Sequence, residues 1–124
     1  MSWTKVLIVD DEVEFAAALS ERLLLRDYDT KAICNVDDAV AAIRKDPPEV
    51  LLLDLKMPGM SGAELYRTIK EFNPLIEVIF VTGQACQNGD ENIPGGAYDC
   101  VMKPIDIDEL TKKIDKAKER IVKS

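Results

Sequence analysis

The sequence predicts a doubly wound α/β domain of (βα)5 form, and two observations carry that expectation. Apolar runs alternate with segments of helical periodicity, and the strongest runs, Val6–Val9, Glu49–Leu53 and Val78–Val81, lack polar alternation. Strands of that kind are covered on both faces, the pattern of a parallel sheet with helices on either side. Parallel neighbours joined through helices then give right-handed crossovers.

The elements follow in order. Val6–Val9 opens the sheet, and Phe15, Leu19 and Leu23 lie on one face of a first helix. A weaker strand at Thr30–Ile33 precedes a second helix with Val36, Ala39, Val40 and Ile43 on one side, which Asn35 can cap. Pro47–Pro48 separates it from the third strand, and Leu65, Ile69 and Phe72 form the stripe of the third helix, opened by a capping box at Ser61 and Glu64. Asn73–Pro74 precedes the fourth strand. From Gln84 to Gly96 the chain reads QACQNGDENIPGG, so the fourth helix is expected to be short, irregular or partly unwound, with high mobility near Gln87–Gly95. Cys100–Met102 is a weak fifth strand, and Ile107, Leu110, Ile114, Ala117 and Ile121 stripe a fifth helix opened by a capping box, or a close analogue of one, at Asp106 and Glu109.

At 124 residues the chain is expected to form one domain, residues 1–124, without an appended output domain. A net charge of −7 argues against general nucleic-acid or anionic-membrane binding, since both surfaces would repel it. No apolar run approaches the roughly 18 residues needed to cross a bilayer, and the start is too soon acidic for a signal peptide. Cys34, Cys86 and Cys100 form no CxxC pair, which suits unpaired thiols in a reducing cytoplasm. With no histidine, chemistry falls to carboxylates, hydroxyls and amines.

Ligands of open parallel sheets bind at the carboxyl ends of the strands. There the sequence places Asp10 and Asp11 after the first strand, Asp54 after the third, Thr82 and Gly83 after the fourth, and Lys103 and Pro104 after the fifth. Each has a plainer reading. Asp11 can cap the first helix with Glu12 and Glu14 favouring its positive end, Thr82 can bond backbone, Lys103 can be a solvated lysine, and Pro104 can stop a strand. Asp54 resists such a reading, because an acid beside two others is repelled unless a cation intervenes. Together they suit phosphoryl transfer. Carboxylates supply hard oxygens for Mg2+, Asp54 is a nucleophile that yields an acyl phosphate, and Thr82 and Lys103 meet phosphoryl oxygens.

The motifs VLIVDDE, LLLDLKMPGMSG, Thr82–Gly83 and GAYDCVMKP closely resemble those of response-regulator receiver domains, across nearly the whole chain. The resemblance implies a flavodoxin-like fold of strand order 2-1-3-4-5. It implies Mg2+ on Asp10, Asp11, Asp54 and the Lys56 backbone carbonyl, and phosphorylation of Asp54 by a histidine kinase or phosphotransfer protein. Thr82 and Lys103 would sense the phosphoryl group, and a cis peptide would precede Pro104. The face of the fourth helix, fifth strand and fifth helix would then move, acting on a downstream protein or tethered output domain or forming a dimer on phosphorylation. Such a protein catalyses only its own phosphorylation and dephosphorylation. Cys100 stands where the family usually carries Tyr or Phe, so coupling to the output face differs. Lys56 and Gln84 occupy tuning positions, and Lys56 is expected to change phosphoryl lifetime. An interaction module independent of phosphate and an Asp-nucleophile hydrolase are the alternatives. The first is opposed by the intact Asp/Thr/Lys set, the second by the lack of a general acid and a substrate cap.

Overall fold

The computed structural model describes residues 3–55, 57, 62–83 and 99–123. Nine elements occur among them: β1 (Thr4–Val9), α1 (Val13–Leu24), β2 (Tyr28–Ile33), α2 (Val36–Lys45), β3 (Val50–Asp54), α3 (Gly62–Phe72), β4 (Glu77–Thr82), β5 (Asp99–Met102) and α4 (Ile107–Lys123). The strands form one parallel sheet of order β2-β1-β3-β4-β5, as expected. The expected fourth helix, the Ser61 capping box, Lys56 and Gln84 lie outside the described residues, so α4 is the fifth helix of the sequence reading.

Strand residues alternate between two cores because successive side chains point to opposite faces. Val6, Ile8, Val50, Leu52, Ile79 and Val81 face α1 and α4, meeting Leu19, Leu23, Leu110 and Ile114. Leu7, Val9, Leu51, Leu53, Val78 and Phe80 face α2 and α3, meeting Ile43, Leu65, Tyr66 and Ile69. Apolar residues thus fill both parities of β1, β3 and β4, which explains why the sequence shows no alternation there. Phe72 is the exception to the predicted stripes. It ends α3 at the rim, exposed, with the Arg44 guanidinium over its ring.

Two predicted caps form. Asn35 Oδ1 accepts from Asp38 N at 2.9 Å, and Asp106 Oδ1 accepts from Asp108 N at 3.0 Å. The plain reading of Asp11 does not hold, since the N-cap of α1 is Glu12 and no side chain caps it. The expectation of unpaired thiols is also corrected: Cys34 is free, but Cys100, half-buried in β5, is disulfide-bonded. Pairing depends on Cβ proximity in the fold, which spacing along the chain does not reveal. Among the described residues, no helix is long and apolar enough to cross a membrane.

Candidate functional site

Register brings the acids together. Val9 pairs with Leu53 and Asp54 with Val81, so Asp10 and Asp54 emerge side by side where β1 and β3 end. The Asp10 backbone N–H is held by the Ile33 carbonyl at 3.1 Å, and Leu55 N–H donates to Val81 O at 3.4 Å. One ligand oxygen from each of Asp10, Asp11 and Asp54 falls within 4.8 Å of the others. Asp10 and Asp54 are buried and Asp11 is exposed, which leaves the group open to solvent on one side. Thr82 is buried at the end of β4, and its carbonyl accepts the Lys103 backbone N–H at 2.7 Å. The Lys103–Pro104 peptide is cis.

Lys103 is not a solvated lysine. Its Nζ lies 2.9 Å from Asp10 Oδ2 and 2.7 Å from Glu12 Oε1, and 4.4 Å from the centre of the Phe15 ring. Burial works against the ammonium, but contacts with Glu12 and Asp10 and the charges of Asp10 and Asp54 outweigh it. The Lys103 pKa is therefore raised. Asp10 Oδ1 accepts the Glu12 backbone N–H at 2.9 Å, whereas its buried Oδ2 makes an ion pair without hydrogen-bond geometry. Two buried carboxylates and one exposed one, converging as an all-oxygen cluster, are what a hard divalent cation fits.

Five residues that the sequence sets at the strand ends thus converge: Asp10, Asp11, Asp54, Thr82 and Lys103. Glu12, expected only to favour the helix dipole, and Phe15, expected only in the helix stripe, both contact Lys103. Nothing local could have shown this, since Glu12 and Lys103 stand 91 positions apart. Gly62 has no sequence signal of its own, yet its backbone N–H donates to Leu55 O at 2.9 Å and packs the start of α3 against the chain after Asp54.

Comparison with known proteins agrees with this arrangement. The family model described as response regulator receiver domain matches residues 6–115. Sporulation initiation phosphotransferase F of Bacillus subtilis is 34% identical over 113 residues, covering 90% of this chain and 91% of that protein. The C4-dicarboxylate transport transcriptional regulatory protein DctD of Rhizobium meliloti is 30% identical over 93% of this chain, which spans only 25% of its length. Among solved structures, a receiver domain protein from Methanospirillum hungatei superposes with a TM-score of 0.89 at 27% identity over 98% of both chains. The response regulator TrrA of Thermotoga maritima, solved with Mg2+ and beryllofluoride, gives 0.83 at 27% identity over 92% of this chain and 98% of its own. TrrA has also been solved with the histidine kinase ThkA. On the family match, the shared fold and the converging acids, this chain belongs to the response regulator receiver domains.

Proposed function

We propose that the chain is a phosphoacceptor switch in which Asp54 takes a phosphoryl group from a histidine kinase or phosphotransfer protein. The observation that carries this is the acid trio, its oxygens within 4.8 Å, with the Lys103 ammonium ion-paired at its edge. An Asp54 carboxylate oxygen attacks phosphorus as the donor's P–N bond breaks, leaving an acyl phosphate on Asp54 and the bonding electron pair on the ring nitrogen of a neutral imidazole whose other nitrogen already carries the proton. Asp10, Asp11, Asp54 and the Lys56 backbone carbonyl would hold Mg2+, whose charge offsets that of the phosphoryl oxygens. Lys103 neutralises another oxygen, and the buried Thr82 hydroxyl donates to a third. These residues work by position and charge, so the protein catalyses only its own phosphorylation and dephosphorylation.

Residues 1–124 act as one receiver unit in the cytoplasm, and phosphorylation alters the face of the fourth helix, β5 and α4. That face passes the signal to a downstream protein, a tethered output domain or a second copy. The net charge of −7 sets it against direct nucleic-acid contact. Lys56 and Gln84 tune phosphoryl lifetime, and Cys100 couples Thr82 to the output face without an aromatic swing.

Incubation with acetyl phosphate and Mg2+ tests the reading. One label per chain that decays slowly supports it. An unlabelled protein would be an interaction module, and rapid multiple turnover would make it a hydrolase.

A further inference from the structure

We infer that Glu12 is a latch on Lys103, a positioning residue that restrains the ammonium before phosphorylation and so slows it. The inference rests on the phosphoacceptor reading and deepens it. Glu12 Oε1 lies 2.7 Å from Lys103 Nζ, and the two side chains differ sharply in setting, 62% exposed against 14%. The Glu12 backbone is fixed at both ends. Its N–H is held by Asp10 Oδ1 at 2.9 Å, and its carbonyl accepts Ala16 N–H at 2.9 Å as the first bond of α1. Asp10 therefore ties the latch and the ammonium into one unit, touching Lys103 through one oxygen and the Glu12 backbone through the other.

Three N–H bonds are available to the ammonium. Glu12 takes one and Asp10 faces another, while Asp54 draws the charge inward. An acyl phosphate on Asp54 carries more negative charge than the carboxylate it replaces, so it pulls Lys103 away from the exposed acid and towards the buried one. Releasing Glu12 is part of that step. Because Glu12 stands in solvent, its hold is modest and screened by salt, a restraint rather than a block.

The test measures labelling of the intact chain by acetyl phosphate with Mg2+ in the parent, Glu12→Gln and Glu14→Gln. Glu14 is an exposed acid on the same helix turn and controls for loss of one negative charge. Glu12→Gln should label roughly two- to five-fold faster at low salt, the range of an exposed ion pair. Glu14→Gln should stay near the parent, and the gain should vanish in a Lys103→Ala background. The side-chain 15N signal of Lys103 without metal should move in Glu12→Gln and not in Glu14→Gln. A labelled parent with equal rates in all three proteins, a gain that survives Lys103→Ala, or an unmoved Lys103 signal overturns the latch alone. A parent that takes no label overturns the phosphoacceptor reading and the latch with it.

Discussion

Replacing Gly62 with alanine adds one methyl group where the start of α3 lies against the chain that carries Asp54. A Cβ there would sit 2.8 Å from Leu55 Cα, 3.1 Å from the Asp54 carbonyl carbon and closer still to the Asp54 carbonyl oxygen. All three are backbone atoms next to buried strands, so no flexible side chain can move aside. Overpacking of this kind costs about 1–3 kcal/mol, against a gain of at most about 1 kcal/mol from alanine over glycine in a helix. The collision wins. With 124 residues and about 2.1 cal/mol/K of unfolding entropy per residue, a net loss of about 1–2 kcal/mol lowers Tm by roughly 4–8 °C. Thermal melts followed by circular dichroism measure this, and acetyl phosphate labelling should slow as well, because the shift falls on the Asp54 backbone. Gly83→Ala is the contrast, since a Cβ there meets nothing within 4 Å. A Gly62→Ala protein as stable as the parent would refute the claim that α3 is docked on the acceptor strand by a close backbone approach.

Other consequences follow from the charges. Mg2+ bound only by the folded acid cluster should raise stability by about 2.7 kcal/mol at a hundredfold excess over Kd. Asp11→Asn should remove most of that gain, while an equal rise in Tm with Mg2+ in both proteins would exclude the cluster as the binding site. Burial, followed by the 2.7 Å hydrogen bond to Asp115, raises the Tyr28 phenol above its ordinary pKa of 10.0. The folded protein then keeps that proton where the unfolded chain loses it, so stability should fall as pH rises past 10.0. Tyr28→Phe should cost about 1–2 kcal/mol near neutrality and flatten that alkaline loss in urea midpoints, and a slope unchanged by the substitution would count against the assignment.

The fold was legible because the parallel sheet leaves a mark on composition. Leu51, Leu52 and Leu53 are apolar at both parities, and the helix stripes of Leu19, Ile43, Ile69 and Ile114 match the faces that pack. The site was legible for a related reason, since strand ends in such a sheet share one edge, where Asp54 and Thr82 end β3 and β4 and Asp10 and Lys103 directly follow β1 and β5. What escaped depends on contacts between distant segments. Glu12 meets Lys103 only after five strands have been laid in order, and Gly62 presses on Leu55 only once α3 turns back along β3. Cys100 escaped likewise, because its spacing from other cysteines carries no sign of the bond it makes. Phe72 failed differently. Its spacing is that of a buried residue, but it is the last residue of α3 and stays exposed beneath the Arg44 guanidinium.

The central claim is that Asp54 itself forms the acyl phosphate. Borohydride reduces such a mixed anhydride to the alcohol and leaves free carboxylates intact, so treating the labelled protein and sequencing its peptides by mass spectrometry reads the acceptor directly. Conversion of residue 54 to homoserine, dependent on Mg2+ and on acetyl phosphate and absent from Asp54→Asn, is the predicted result. Conversion at Asp10 or Asp11 instead, or label that persists in Asp54→Asn, would contradict it.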